Sequence, residues 1–145
     1  MNRLKFTINI PASKTKIWEV LWNEDAYRDW SSVFAEGSHA VTNNWEEGSI
    51  VFFLGADKSG IYSKIETHIP NETITFRHIG NVLNAKKQPL NDNSKTWSGA
   101  SETYSITEGE NFNTLCIDID IMDEHLEFME SILPKALERI KHNCK

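Results

Sequence analysis

Alternating apolar and polar residues open the chain and predict a β-strand with one buried face. The alternation runs to residue 10, and a period of two is what a half-buried strand requires. Its apolar members are Leu4, Phe6, Ile8 and Ile10. After Pro11, Ser13 stands where a helix N-cap belongs, ahead of a broad apolar face from Ile17 to Trp22. Residues 24–30 predict a second short helix directly behind it.

From residue 38 to residue 122 the chain shows the pattern of antiparallel strands joined by short polar turns. The strands are predicted at residues 50–55, 61–69, 73–78, 102–107 and 114–122. The exception is the segment 80–99, which is polar and long for a connection within one domain. We interpret it as a mobile surface loop, with a lid over a cavity mouth as the alternative.

The last part of the chain predicts a long amphipathic helix. Its apolar residues repeat at the i, i+3, i+4, i+7 spacing of a single helix face. They are Leu126, Met129, Leu133, Ala136, Leu137 and Ile140. Asp123 is placed to cap the helix. Pro134 removes one backbone hydrogen bond within it, which predicts a kink or a restart.

The order of these elements predicts the fold class. A strand, two helices, a run of antiparallel strands and a long helix together indicate an α+β helix-grip fold. We expect one domain spanning residues 1–145, since a single core serves chains of this length. Its antiparallel sheet should have six or seven strands curved around the C-terminal helix.

Charge and composition exclude several classes of function. Fifteen Lys and Arg face 21 Asp and Glu, a formal net charge of −6, whereas nucleic-acid binding needs a basic face. No apolar run approaches the roughly 20 residues of a membrane span, and none resembles a signal peptide. We therefore expect a cytoplasmic protein. Cys116, Cys144 and the five histidines show no metal-site spacing, so no metal and no cofactor is expected.

Aromatic and turn residues at characteristic spacings carry a resemblance to a known family. The matching residues are Pro11-Ala12-Ser13, Ile17-Trp18, Leu21, Trp30, Phe34, Trp45-Glu46-Glu47-Gly48, Ile65 to Ile69, Pro70-Asn71-Glu72 and Ile74-Thr75-Phe76. They resemble bacterial proteins grouped with the activator of the ninety-kilodalton heat-shock protein ATPase. That group belongs to the START-related (SRPBCC, polyketide-cyclase-like) superfamily. The resemblance extends from Phe6 to Lys141.

The resemblance implies a ligand cavity between the curved sheet and the long helix. Apolar side chains expected to line it are Trp30, Phe34, Phe52, Phe76, Trp97, Tyr104, Met129 and Leu133. The alternative is that these side chains simply fill the core, because dense packing is the default for protein interiors.

Two polar residues are predicted to face the same interior. By alternation His78 shares a face with Ile74 and Phe76, and Glu102 shares one with Tyr104. Their strands flank the segment 80–99, so we expect the strands to be neighbours. A buried Glu beside a buried His could exchange a proton with a substrate. The pair could equally orient a polar group of a ligand or serve a structural role.

Three functional hypotheses follow. In the first, the protein binds a small hydrophobic or amphipathic molecule in the cavity. In the second, it is a cyclase- or hydratase-type enzyme that uses His78 and Glu102 for proton transfer. In the third, it is a co-chaperone-like module that binds a protein partner through its outer surface. No set of residues compels a reaction, so we expect binding rather than catalysis, and a protein partner or a homodimer stays open.

Overall fold

The computed structural model describes all residues from Met1 to Lys145 and contains eight strands and four α-helices. The strands are β1 (Asn2–Ile10), β2 (His39–Val41), β3 (Ile50–Leu54), β4 (Gly60–Ile69), β5 (Thr73–Leu83), β6 (Lys86–Lys87), β7 (Ser101–Thr107) and β8 (Asn113–Ile121). The helices are α1 (Lys14–Trp22), α2 (Glu24–Ser31), α3 (Asp92–Lys95) and α4 (Leu126–Asn143). No helix combines the length and the apolar composition needed to cross a membrane.

The two helices predicted after the first strand are confirmed, and side-chain caps separate them. The Ser13 hydroxyl accepts a hydrogen bond from the backbone N–H of Lys16 at 3.0 Å, which satisfies one of the free donors at the start of α1. Asn23 ends α1 in an extended conformation and caps α2 with its side-chain oxygen. This single residue turns the chain between the helices and fixes α2 beside the sheet.

All eight strands belong to one antiparallel sheet in the order β1-β8-β7-β5-β4-β3-β2, with β6 paired to the end of β5. The prediction of six or seven strands is correct for this path of seven and misses β6. Asn84 and Ala85 both have positive φ, the geometry of a tight hairpin turn, and β5 and β6 pair across it. The segment 80–99 therefore consists of a hairpin and the short helix α3, not of one long loop.

Helix α4 packs against the sheet and closes the hydrophobic core. Leu133, Ala136, Leu137 and Ile140 are buried in a cluster with residues of α1, α2 and the inner face of the sheet. Of the kink or restart predicted at Pro134, the restart is wrong, since α4 runs unbroken through this residue. Pro134 lies on the exposed side, where water can satisfy the backbone group that the proline leaves unpaired.

The start of the C-terminal helix differs from the prediction as well. Asp123 does not cap α4; it lies in a 3-10 turn, Asp123–His125, that precedes the helix. Its carboxylate instead accepts a hydrogen bond from the side chain of Asn2 on β1. This hydrogen bond connects the start of β1 to the turn that precedes α4.

A cluster of three polar side chains joins α2 to α4, and we call it the α2–α4 clamp. The Arg139 guanidinium donates two hydrogen bonds to the Asp29 carboxylate at 2.8 and 2.9 Å, and Asn143 donates a third at 2.6 Å. These hydrogen bonds lower the pKa of Asp29 to about 2. The clamp holds the outer faces of the two helices that cover the sheet.

Candidate functional site

A cavity of about 290 Å³, partly open to solvent, lies between α2, α4 and the sheet. Its lining is mostly aromatic and aliphatic, with a few polar side chains. The lining residues are Tyr27, Trp30, Ser31, Phe34, Ser38, Phe53, Ile61, His78, Glu102, Tyr104, Ile119, Met129 and Leu133. The cavity is thus where the two covering helices face the middle of the sheet.

Strand register brings the polar residues of the cavity together. β5 pairs with β7, as predicted, and Glu102 stands directly opposite Phe76. His78 is the next residue of β5 on that face, so its side chain is diagonal to Glu102. His78 Nε2 lies 3.6 Å from Glu102 Oε1. Because side chains alternate between the two faces along β5 and β7, His78 and Glu102 come together on the same face of the sheet.

A serine on the neighbouring strand supports His78 from the other side. Ser63 of β4 stands directly opposite His78 of β5, and its Oγ lies 2.6 Å from His78 Nδ1. This hydrogen bond fixes the orientation of the imidazole ring, with Nε2 directed at the Glu102 carboxylate. The side chain of His78 is only 10% exposed.

Tyr104 completes this polar chain. Its hydroxyl donates a hydrogen bond to Glu102 Oε2, two residues away on the same face of β7. Burial, and then the nearby Glu102 carboxylate, raise the pKa of Tyr104 well above its usual value. The pKa of Tyr27 is raised by the same two causes. Both phenols therefore stay protonated at neutral pH, and Tyr104 acts as a hydrogen-bond donor to Glu102.

A second polar group faces the cavity from α2. Ser31 is 2% exposed, and its Oγ has no hydrogen-bond partner. The Tyr27 hydroxyl, one turn earlier, comes near Ser31 Oγ without meeting hydrogen-bond geometry. Leaving a buried hydroxyl unpaired costs about 1–3 kcal/mol, so such a group in a cavity is available to a ligand.

Seven of the ten predicted site residues line the cavity. They are Trp30, Phe34, His78, Glu102, Tyr104, Met129 and Leu133. The other three do not, and each has a physical reason. Phe76 is fully buried but fills the core beside the cavity, where its ring meets those of Trp22, Phe53 and Tyr104. Trp97 lies half-buried in the turn after α3, outside the main core cluster.

The placement of Phe52 needs correction for a different reason. On β3, Val51 and Phe53 pack into the core, so Phe52 faces the opposite side of the sheet beside Tyr62. Every residue from Ile50 to Leu54 is apolar, and such a run does not reveal which set of alternate residues faces inward. Phe53 is the cavity residue.

Six lining residues were missed by the sequence reasoning. They are Tyr27, Ser31, Ser38, Phe53, Ile61 and Ile119. A signal was present for two of them, since Tyr27 and Ser31 share a helical face with Trp30 and Phe34 at i, i+3, i+4 and i+7 spacing. For Ser38, in the loop before β2, no periodic pattern exists that could have identified it.

His68 and Arg77, two further polar side chains on the strands, do not reach the cavity. The His68 ring stacks on Trp18 and bonds to the backbone of Trp45. Arg77 pairs with Glu66 at 2.7 Å on the other face of the sheet. No three His, Cys, Asp or Glu side chains come together in a way that could hold a metal ion.

The chain Ser63–His78–Glu102 has the residue types of a serine nucleophile with its base, but not the required access. Ser63 is completely buried and does not line the cavity, so its hydroxyl cannot reach a bound molecule. His78 and Glu102 both line the cavity, and the Glu102 side chain is the more exposed of the two, at 22% against 10%. The arrangement can bind a polar group at Glu102 or transfer a proton there.

Comparisons with known proteins show the fold. No protein-family model and no curated protein matches the sequence. Among solved structures, the Aha1 dimer from Colwellia psychrerythraea matches with a TM-score of 0.65 and 20% identity over 97% of this chain and 91% of that one. CalU16 from Micromonospora echinospora matches with a TM-score of 0.67 and 11% identity over 99% and 76%. The chain has the helix-grip fold.

A third structure places the helix-grip fold within a larger protein. DynU16, a protein of the dynemicin biosynthetic locus, matches with a TM-score of 0.68 and 11% identity over 98% of this chain but only 46% of its own. The prediction of the fold and the resemblance to START-related proteins are confirmed at the level of the fold. The sheet curves around α4, and the cavity lies between the first half of α4 and the sheet.

Proposed function

We propose that the protein binds a small, largely apolar molecule with one polar group in the helix-grip cavity. One observation carries this proposal: Glu102, His78 and the Ser31 hydroxyl face a cavity whose other walls are mostly aromatic and aliphatic. Ligand sites are typically apolar pockets in which a few placed polar groups fix orientation. The two free cysteines are consistent with binding in a reduced, cytoplasmic setting.

The size of the cavity limits the ligand. Its volume of about 290 Å³ lies at the lower end of the range of small-molecule sites, about 300–1,000 Å³. A ligand with one or two rings fits such a space. The mostly apolar lining with a few polar side chains is typical of a ligand site, which favours binding over the core-filling alternative.

A second candidate function is proton-transfer catalysis of the cyclase or hydratase type. The observation that favours it is the support of Glu102 by His78, which Ser63 in turn holds in one orientation. This series of three side chains can stabilise either protonation state of the Glu102 carboxylate during a reaction. Ligand binding is sufficient to explain the geometry, and the carboxylate has no separate nucleophile beside it.

Calorimetric titration with 1-naphthylmethanol tests the binding function. Met129 lines the cavity from α4, so Met129→Trp should fill the space and weaken binding at least about tenfold through steric exclusion. The control is Phe128→Trp, which places the same indole on the exposed side of the same helix. Absence of binding to the parent protein, or equal binding by both variants, contradicts the proposal.

Native mass spectrometry of the protein purified from its own host addresses the natural ligand. We expect a bound species of small mass that is retained by the parent and by Phe128→Trp but lost in Met129→Trp. Incubation of that species with the parent protein then separates the two candidate functions. A change in its mass that depends on Glu102 indicates catalysis, whereas recovery of the unchanged species indicates binding alone.

A further inference from the structure

The charges around the cavity are one-sided. Glu102 is the only acidic residue of the lining, and no lysine or arginine lines the cavity. Arg77, on the strand next to Glu102, points to the other face and pairs with Glu66. The one nearby group able to carry positive charge is His78, whose Nε2 stays 3.6 Å from Glu102 Oε1. With no lysine or arginine in the lining, the half-buried Glu102 carboxylate favours a cationic occupant.

The walls next to Glu102 suit the same kind of occupant. Five aromatic rings line the cavity, from Tyr27, Trp30, Phe34, Phe53 and Tyr104. Tyr27 lies between two of the others, 5.0 Å from the Trp30 ring and 6.2 Å from the Phe53 ring. Aromatic faces attract cations through the negative potential above the ring. An ammonium group beside Glu102 would meet π-faces as well as the carboxylate.

The hydrogen-bonding capacity of the site also favours a cationic ligand. Tyr104 already donates a hydrogen bond to Glu102 Oε2, whereas Oε1, 3.6 Å from His78 Nε2, keeps the capacity to accept a hydrogen bond from a ligand. Ser31 Oγ supplies a second acceptor that has no partner within the protein. A protonated amine has several N–H donors and no acceptor, so it matches these two oxygens.

We propose that the ligand of this cavity is a protonated organic amine whose apolar body has one or two rings. The proposal rests on the proposed binding function and specifies the chemistry of the same site. The ammonium group lies at Glu102 Oε1, and the ring body lies among the aromatic side chains toward Met129 and Leu133. A ligand carboxylate is excluded, because it would face the Glu102 carboxylate with no lysine or arginine to compensate.

Three probes with the same ring body test the charge preference. Calorimetric titration at pH 7.5 compares 1-naphthylmethylamine, 1-naphthylmethanol and 1-naphthoic acid, which are cationic, neutral and anionic. We expect the amine to bind about tenfold or more tightly than the alcohol, the effect of a charge-assisted hydrogen bond and a cation–π contact. The acid should bind most weakly of the three.

Substitutions at Glu102 attribute the preference to its charge. Glu102→Gln should reduce the affinity for the amine to that for the alcohol, while the affinity for the alcohol changes less than about threefold. Glu102→Asp keeps the charge and should keep the order of the probes. Glu130→Gln, on the exposed side of α4, removes one negative charge outside the cavity and should change nothing. Circular dichroism of each variant verifies that the fold is kept.

The outcomes separate the two proposals. If the alcohol binds and Met129→Trp prevents it, but the amine shows no advantage, the amine proposal fails and the binding function stands. Tightest binding of the acid also refutes the amine proposal, and it would mean that His78 carries the dominant charge. A preference for the amine that survives Glu102→Gln refutes the assignment to Glu102. If none of the three probes binds, both proposals fail.

Discussion

Tyr104 and Glu102 show how a single residue pair can serve both the core and the site. Tyr104 is buried in the main core cluster, while its hydroxyl donates to a carboxylate that faces the cavity. The ring contributes packing, and the hydroxyl satisfies one oxygen of a charge that would otherwise be poorly solvated. Stability and ligand recognition are therefore coupled at this residue.

Tyr104→Phe should lower the free energy of unfolding by about 1–3 kcal/mol, because a buried acceptor loses its donor while the ring packing remains. Urea unfolding followed by circular dichroism measures the change. Tyr62→Phe is the matched control, since the Tyr62 ring lies on the other face of the sheet beside Phe52 and makes no contact with Glu102. Equal effects of the two substitutions would argue against the role assigned to Tyr104.

At the scale of residues, the sequence predicts those site positions whose strands alternate cleanly. β5 places Ile74, Phe76 and His78 on one face with no ambiguity, and β7 does the same for Glu102 and Tyr104. β3 is apolar throughout, and there the choice of Phe52 over Phe53 was wrong because periodicity contains no information in such a run. The unpaired state of Ser31 depends on the tertiary arrangement alone.

At the scale of elements, the α2–α4 clamp is the contact most sensitive to acid. The pKa of Asp29 is about 2, below its ordinary value of 3.8, because Arg139 and Asn143 donate to the carboxylate. A lowered folded-state pKa stabilises the fold above the ordinary value, and this contribution is lost as pH falls through about 2. The Asp29 side chain is 40% exposed, so solvent limits the contribution to about 1 kcal/mol or less.

We expect the free energy of unfolding of the parent protein to decline more steeply between pH 4 and pH 2 than that of Asp29→Asn, because the asparagine cannot titrate there. Urea midpoints at a series of pH values measure the slopes. Parallel slopes for the two proteins would show that the clamp contributes nothing to acid sensitivity.

The hairpin and short helix between β5 and β7 should be the least protected internal region of the chain. Residues 83–87 are all exposed, and Ser94 is the one buried residue between 83 and 96. Few apolar contacts oppose local opening in such a region. Hydrogen exchange followed by mass spectrometry should show fast amides from Asn84 to Lys95 and slow amides in β7 and β8. Slow exchange throughout Asn84 to Lys95 would contradict this prediction.

Element boundaries show which local signals tertiary structure overrides. Ser13 caps α1 as its sequence position predicts, because the cap geometry is local. Asp123 has an equally suitable position, but Asn2 on β1 competes for its carboxylate. Pro134 is accommodated because its side of α4 faces solvent. The pairing of β6 depends on a turn of two residues at positive φ, a geometry that neither Asn84 nor Ala85 demands by itself.

At the scale of the whole molecule, the order of elements was sufficient to predict the fold. A strand, a helical pair, an antiparallel meander and a long helix have few arrangements that bury every apolar face. The cavity was expected from resemblance alone, because the pattern of apolar residues does not distinguish a filled interior from a partly empty one. Its volume and its one-sided charge follow from side-chain packing that the sequence pattern does not specify.

The division of the cavity between sheet and helices has a kinetic consequence. Glu102 and His78 stand on paired central strands, whereas Tyr27, Met129 and Leu133 belong to the two helices that the α2–α4 clamp holds together. The paired strands hold Glu102 and His78 in place, whereas loosening of the two helices would widen the opening through which a ligand enters. Asp29→Asn should therefore raise the association and dissociation rate constants of a bound probe by similar factors and leave the equilibrium constant nearly unchanged. Stopped-flow mixing with 1-naphthylmethanol measures both rate constants. A change in only one of them, and therefore in the equilibrium constant, would show that the clamp determines the shape of the site and not the rate of exchange.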